Sequence, residues 1–530
     1  MAVSSRRSSF LVLLTVLVCG CLGLLFGQRM NSTASTNDIN DSLRQFTSVY
    51  SIVEQNYAEP LKPDKAIYNG AIPGMLRTLD PHSSFFDPKS YALLHEDQVG
   101  KYYGVGMTVG PRNNKIIVVA PFVGSPAYRA GLRPGDTLLA VDGKSTENMN
   151  TNEVADMLKG PRGTTVKVTV ERQGLEHPLE FSMQRDEIPR YSVDVHELIK
   201  PGIGYMHVDS FTETTGHEVQ DALDQFGNIN GLIIDLRGNP GGLLNEAVDV
   251  SDKFLPKGAV IVSHHGRASA EHVYRATHGA NGRNYPIVIL VNRNTASAAE
   301  IVSGALQDHD RALIVGETTF GKGLVQTVYP LSNDTGLALT TARYYTPSGR
   351  LIQREYEGVS LFEYLNHLEN EDKNPNKELK TTDSGRQVYG GGGITPDVKI
   401  ETPKLTPFQE RLLSHYAFFN FPRTYLLNRH ISKSFEVDDS VINAFKQFLK
   451  SEKIAYTDQE FAQQMDWVKS SLKSELFISE FGQAAGLQVR AETDPEVQKA
   501  IDLLPQAKAL VENARKVIAD RTQHGPTADR

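Results

Sequence analysis

The chain has almost no cysteine. Of its 530 residues only Cys19 and Cys21 carry a thiol, and both lie in the first apolar run. Everything after residue 21 must therefore work without a cysteine nucleophile, a disulfide framework or a thiolate zinc site. A basic surplus is missing as well: 55 lysines and arginines stand against 63 acids, a formal net charge of −8. With no excess positive charge to neutralise phosphates, nucleic acid is not an expected partner. Gly-x-Ser-x-Gly and His-Glu-x-x-His are absent, and the His-Glu pairs at His95, His196 and His217 lack the second histidine. None of the 15 histidines falls at a metal-ligand spacing, so neither a metal nor another cofactor is expected. No internal repeat is present.

Only one long apolar run exists. Phe10–Gly27 holds 18 residues without a charge, and Arg6 and Arg7 precede it. A run of about 18 residues is long enough to cross hydrocarbon, and arginines before it keep the start of the chain in the cytoplasm. Residues 1–30 therefore read as an export signal or a single inner-membrane anchor. Retention as an anchor, cleavage near Ser32-Thr33-Ala34 and lipid attachment at Cys21 are the three outcomes. In each, the cell envelope is the expected location, with the rest of the chain on the periplasmic or extracytoplasmic side.

Length alone gives three to four domains at about 150 residues each. Residues 31–95 combine a polar tether with a helical cap, where Phe46, Val49, Ile52 and Val53, then Ile67, Ile72, Met75, Leu76 and Leu79, recur at helical spacing around Pro60 and Pro63. Residues 96–188 change to short β-type runs (Gly104–Val109, Lys115–Phe122, Thr137–Val141, Thr164–Glu171) with helical patterns at Ser125–Ala130 and Thr151–Leu158. From 189 to 402 apolar strands alternate with helices. Gly231–Leu236 and Pro286–Val291 are near-continuous apolar runs, as strands buried on both faces require. The expected fold class is α/β and multi-domain, with a largely parallel sheet in the core. Residues 355–395 read as one long loop, and 403–530 as a separate helical extension.

Three segments could carry chemistry. Asn292-Arg-Asn-Thr-Ala-Ser297-Ala-Ala-Glu300 sits between a buried strand and a helix. Its plain reading is a capping box, Ser297 with Glu300. Its functional reading is a serine hydroxyl beside free amides at the positive end of a helix, suited to a developing oxyanion. Arg237-Gly-Asn239-Pro240-Gly241-Gly242 follows another buried strand, and its glycines permit close approach of a ligand. Gly316-Glu-Thr-Thr-Phe-Gly321-Lys322-Gly323 is a near miss to a phosphate loop, with glycine at 323 in place of the hydroxyl that holds magnesium. No histidine neighbours Ser297 in sequence, so Lys322 is the candidate base, provided burial lowers its pKa. Gln326 lies four residues on, roughly 13 Å away along a straight strand at 3.3 Å per residue. Contact between the two requires a bend.

Taken together these segments resemble the carboxy-terminal processing peptidases, or tail-specific proteases, which use a serine–lysine dyad. Thr295-Ala-Ser297-Ala-Ala-Glu300 is similar to the nucleophile segment, and Gly321-Lys322-Gly323-Leu-Val-Gln326 to the base segment, at a separation of 25 residues. The resemblance implies Ser297 as nucleophile, Lys322 as general base and Gln326 as the residue that orients it. It implies an oxyanion hole from Gly241 or Gly242 together with the amide of Ala298. Residues 96–188 resemble a PDZ domain: Tyr103-Gly-Val-Gly106 is similar to its carboxylate-binding loop, which implies Gly104, Val105 and Gly106 as the peptide-carboxylate site, and Ala130-Gly-Leu-Arg-Pro-Gly-Asp136 to its interior segment. Leu79-Asp-Pro-His-Ser-Ser84 and Gly393-Ile-Thr-Pro-Asp397 match the family's edges, so the resemblance spans roughly residues 40–402.

The implied activity is that of an envelope endopeptidase acting on proteins or peptides with accessible carboxy termini. Membrane contact through the amino terminus and self-association through the helical regions are the other expected partnerships. An inactive, membrane-anchored PDZ scaffold and a phosphate-loop nucleotide enzyme are the competing readings.

Overall fold

A computed structural model describes residues 36–366, 378–400, 404–427 and 429–524. The expected anchor at 1–30 lies outside the described residues. Among the described residues no helix is long and apolar enough to cross a membrane.

The chain divides into two compact units, one ending at Met75 and one beginning at Leu76. In the first, α1 (Thr36–Asn56) is the main element. It is followed by short helical turns at Pro63–Ala66 and Ile72–Arg77, joined by a π-helical segment at Ile67–Ala71. This is the helical cap anticipated from the spacing of apolar residues.

The second unit opens with β1 (Ser84–Phe86) and α2 (Pro88–Val99). Asp87 caps α2 and Gly100 closes it in the left-handed conformation. The β-rich module then runs β2 (Lys101–Gly104), β3 (Met107–Arg112), β4 (Lys115–Pro121), α3 (Pro126–Ala130), β5 (Thr137–Val141), β6 (Lys144–Ser145), α4 (Thr151–Leu158), β7 (Thr165–Glu171), β8 (Leu179–Gln184) and β9 (Asp186–Pro189). Its sheet has the order β3-β4-β5-β7-β8, with β6 on β5. Strands β2 and β9 pair antiparallel, so the entry and exit of the module are tied together. Inward-facing Val118, Leu138, Val141, Val166, Val168 and Val170 form its core with Val154 of α4.

The α/β core comprises β10 (Val193–Lys200), β11 (Ile203–Val208), α5 (Thr215–Phe226), β12 (Gly231–Asp235), α6 (Leu244–Asp252), β13 (Val260–His265), β14 (His272–Arg275), β15 (Ile287–Val291), α7 (Ala298–Asp308), β16 (Leu313–Gly316), β17 (Leu324–Pro330) and β18 (Gly336–Tyr345). Its central sheet has the order β10-β11-β12-β15-β16, extended by Val398–Lys399. Strands from β11 onward run parallel. A second, antiparallel sheet has the order β1-β18-β13-β14, with β17 also on β18. This is how residues near 84 come to lie beside residues near 326.

Alternation along the buried strands explains their continuous apolar runs. Leu232 and Ile234, like Ile287, Ile289 and Val291, face the core formed with α5, α6 and α7. Ile233, Val288 and Leu290 face the other way. What covers that second face corrects the expectation of a separate extension. Residues 407–481 do form helices with their own core of Phe408, Phe421, Phe445, Phe461, Leu472 and others. The last two helices, α8 (Gln483–Thr493) and α9 (Pro495–His524), instead cover the sheet with Ala491, Val497, Ala500, Leu504 and Ala507. Helix α9 is therefore part of the core it follows. The 355–395 segment is also not one loop: a helical turn at Leu361–Asn366 and a hairpin, Leu379–Thr381 with Gln387–Tyr389, are built into it.

Candidate active site

Ser297 sits at the corner between β15 and α7. The corner is made by short polar side chains: the Asn292 amide donates to Thr295 Oγ1 at 2.9 Å, and the Thr295 hydroxyl donates to Leu236 O at 2.8 Å. That second bond fixes the corner to the end of β12. Ser297 itself has φ 54° and ψ −115°, a conformation that costs a serine on the order of 1–3 kcal/mol and persists only where its surroundings enforce it.

Glu300 enforces it. This carboxylate is fully buried and accepts four hydrogen bonds. The Ser297 amide donates at 2.8 Å, the Gly321 amide at 2.7 Å and the Lys322 amide at 2.9 Å, and the Thr319 hydroxyl supplies the fourth. Burial pushes the Glu300 carboxyl up from the ordinary range, and the four donors oppose that shift. The capping box expected from sequence is thus one half of a larger clasp, whose other half reaches the Gly321–Lys322 segment. The same contacts remove the phosphate-loop reading, since the Gly321 and Lys322 amides that would cradle a phosphate already hold a carboxylate of the protein.

Lys322 precedes β17. Its ammonium donates to Gln326 Oε1 at 2.9 Å. The bend this requires is a bulge: the pairing of β17 with β18 shifts register between Val325 and Gln326. Gln326 Nε2 in turn donates to the His82 carbonyl at 2.9 Å, so the 79–84 segment braces the amide. Burial pulls the Lys322 pKa down, while the charges of Glu300 and Asp80 pull the other way; the net direction is below the usual lysine range. His82 is lowered to about 4 by burial and by the Lys322 charge. Its Nε2 pairs with the Tyr364 hydroxyl at 2.9 Å. Neither the role of His82 nor the reach of Glu300 is legible in residue order; the only signal for His82 is its place in the Leu79–Ser84 motif.

The Arg237–Gly242 loop closes the site from the opposite side. Ala296 N donates to Asn239 O at 2.9 Å, joining this loop to the serine corner. A Cβ on Gly241 (φ +99°) would lie 2.7 Å from Ser297 Cβ, and one on Gly242 (φ +142°) 2.1 Å from Phe211 O. Only glycine fits either position. The Gly241 amide donates to Asn239 Oδ1 at 2.8 Å. Among the described residues no protein acceptor takes the amide of Gly242 or of Ala298. Arg237, at the head of the loop, meets Asp235, Asp494 and Glu496.

Ser297, Ala298, Gly241, Gly242, Lys322 and Gln326 all line one cavity of about 1150 Å³. The cavity continues to Val123–Pro126 and Arg129 of the β-rich module and is also lined by Gln483 and Leu487 of α8. Gly104, Val105 and Gly106 are buried and do not line it; the carbonyls of Val105 and Gly106 accept from Ala127 N and Phe122 N. Among the described residues no group of three or more His, Cys, Asp or Glu side chains is arranged to hold a metal ion.

Known proteins share these segments. Residues 202–360 match peptidase family S41 and residues 117–172 match the PDZ domain. Residues 26–90 match the activating protease CtpB N-terminal domain, and 408–460 the C-terminal helical domain of a probable PDZ-protease. The carboxy-terminal-processing protease of Bartonella bacilliformis is 39 % identical over 334 residues, 61 % of this chain and 76 % of that protein. The carboxy-terminal processing protease CtpA of Bacillus subtilis is 35 % identical over 356 residues, 65 % of this chain and 74 % of that protein. The carboxyl-terminal-processing protease of Synechocystis is 38 % identical over 309 residues, 57 % of this chain and 72 % of that protein. The chain belongs to the carboxy-terminal processing proteases of peptidase family S41, and it is a serine-type peptidase with a PDZ domain.

Proposed function

We propose that this chain is an envelope endopeptidase that cleaves proteins and peptides with accessible carboxy termini by a Ser297–Lys322 dyad. The observation that carries the reading is the buried Lys322 amine, drawn below its ordinary pKa and held by Gln326, in the cavity that Ser297 also lines. A neutral amine accepts the Ser297 hydroxyl proton. The freed oxygen attacks the peptide carbonyl, and charge develops on the carbonyl oxygen. The amides of Gly242 and Ala298 receive it, since the Gly241 amide is spent on Asn239. Preorganised donors of this kind are worth about 10²–10³ in rate each. The lysine then protonates the leaving amine, and water hydrolyses the acyl-enzyme.

Substrate choice falls to the PDZ domain, whose Val123–Pro126 and Arg129 line the cavity, whereas the Gly104–Gly106 loop expected to capture the terminal carboxylate is buried. The uncharged run Phe10–Gly27 behind Arg6 and Arg7 supports delivery to the envelope. The exposed apolar row on α1 supports self-association.

The test is direct. The purified chain cleaves an unstructured protein substrate, and Ser297→Ala and Lys322→Ala each abolish cleavage and labelling by an acyl-serine probe. Full activity in both variants overturns the dyad.

A further inference from the structure

Arg237 heads the loop that packs Gly241 against Ser297, yet its guanidinium is gripped from the far end of the chain. Nε donates to Asp235 Oδ1 at 3.0 Å and Nη2 to Asp235 Oδ2 at 2.6 Å. Nη2 also meets Asp494 Oδ2 at 2.9 Å, and Nη1 meets Glu496 Oε2 at 3.1 Å. Asp235 faces the arginine and also feels the raised His207. It lies two residues away on the same strand and loop, so it fixes only the local turn. Asp494 and Glu496 instead come from a distant part of the chain, with side chains 27 % and 14 % exposed, and they tie the loop to that part.

Asp494 and Glu496 belong to the start of α9, which is anchored on the sheet by Val497, Ala500, Ile501 and Leu504. Asp494 divides its oxygens. Oδ1 caps α9 by accepting from Glu496 N at 2.8 Å and Val497 N at 3.3 Å, and Oδ2 takes Arg237. The catalytic loop is thereby referenced to a rigid helix on the opposite face of the sheet from α7.

We infer that Asp494 and Glu496 are positioning residues for proteolysis, holding the Arg237–Gly242 loop through Arg237 so that the Gly242 amide meets the developing oxyanion. The inference rests on the reading of Gly242 and Ala298 as the oxyanion donors. A donor must stand about 2.7–3.1 Å from the oxyanion, so a small drift of the loop slows the chemical step while leaving substrate binding untouched. The carboxy-terminal extension thus acts on the reaction itself.

The experiment uses the full chain with Asp494→Asn and Glu496→Gln, singly and together. Asparagine caps a helix as well as aspartate does, so Asp494→Asn keeps the cap and replaces the charged oxygen that Arg237 Nη2 meets by an NH₂ group that cannot accept from it. Kinetics are measured on a fluorogenic peptide with a free carboxy terminus, alongside thermal unfolding and the pH dependence of kcat. The double variant is expected to lose about 10- to 100-fold in kcat, with KM within twofold and the pH limb set by Lys322 unmoved. A folded double variant whose kcat stays within twofold of the parent overturns the inference, as does a rise in KM at constant kcat. If the double variant melts below the assay temperature, Glu496→Gln alone, which keeps the cap and the Asp494 pair, decides by the same criteria. Ser297→Ala is run in parallel. If it remains active, the serine reading and this inference fall together; if it is dead and the double variant matches the parent, this inference alone falls.

Discussion

The backbones of Ser297 and Lys322 meet on one oxygen. Glu300 Oε2 accepts the Ser297 amide at 2.8 Å and the Lys322 amide at 2.9 Å, while Oε1 takes the Gly321 amide and the Thr319 hydroxyl. Glu300→Gln keeps the shape and replaces one acceptor oxygen by an NH₂ group, so two of the four donors lose their partner. Each unmet buried donor costs about 1–3 kcal/mol, and a loss of about 2–6 kcal/mol in folding stability is expected from the two. Denaturant unfolding measures it. The same change removes a negative charge that favours the Lys322 ammonium. The pH limb of kcat set by Lys322 should therefore move to lower pH even as the maximum rate falls. A limb that stays in place refutes the electrostatic link.

Only the Ser297–Glu300 half of this clasp can be read from residue order, and the unreadable part has a definite character. Local signals are legible: the Ser297-x-x-Glu300 cap, the glycine loops, and the continuous apolar strands Gly231–Asp235 and Ile287–Val291. The contacts that complete the site join residues far apart in the chain. Gln326 reaches His82 across 244 positions and Arg237 reaches Glu496 across 259, and no periodicity encodes such pairs. The role of α9 is hidden for a related reason. A stripe of Val497, Ala500, Ile501 and Leu504 shows that a helix has an apolar face, but not which surface that face covers. The sheet's second face, written in Ile233, Val288 and Leu290, is the matching half of that information.

Lys322 should make proteolysis an alkaline-rising activity. In the proposed dyad the neutral amine is the working form, so kcat is expected to increase as pH rises through the Lys322 pKa. It levels off below the ordinary lysine value of about 10.4, because burial holds the group down. Gln326→Glu places a negative charge on the side chain that accepts from Nζ at 2.9 Å. That charge favours the ammonium and raises the pKa. The limb should move up by at least about one unit, which is about tenfold in rate at a fixed pH on the rising side. Lys322→Arg, which stays charged, should be inactive throughout. A pH–rate profile of each variant checks all three statements, and a downward shift in Gln326→Glu sinks the assignment.

His82 and His207 should pull stability in opposite directions with pH. Burial, together with the Lys322 charge, lowers His82 to about 4 against the opposing charge of Asp80; Arg354 adds to the lowering. Its folded pKa lies below the unfolded value of about 6.5, so its contribution is complete above 6.5 and is lost as pH falls towards 4. His207 behaves in reverse. Burial alone would lower it, but the Asp194 carboxylate at 2.6 Å, aided by Asp235, raises it to about 9. Its contribution is complete below 6.5 and disappears as pH rises towards 9. Urea midpoints measured from pH 4 to 9 should therefore steepen on the acid flank through His82 and on the alkaline flank through His207. His82→Gln should flatten only the first and His207→Gln only the second. If either variant flattens the opposite flank, that histidine's pKa is shifted the other way.

Helix α1 carries its apolar residues on the outside of the unit that contains it. Ile39, Leu43, Phe46 and Val53 are exposed and, with Tyr50, are spaced alternately by four and three residues. That is the spacing of a helix seam that packs against another helix. Charge on the same helix does not oppose such pairing, since Asp41 and Arg44 form an ion pair beside the seam. A contiguous exposed apolar row is costly to leave in water, and a second copy of the same helix offers the complementary surface. Sedimentation equilibrium of the full chain should show a self-associated species. Phe46→Asp combined with Val53→Asp should convert it to monomer while leaving single-site cleavage of a short peptide within about twofold, because both residues lie outside the unit that holds Ser297. A chain that is monomeric before substitution refutes the seam, and a double variant that keeps its association places the contact on another surface.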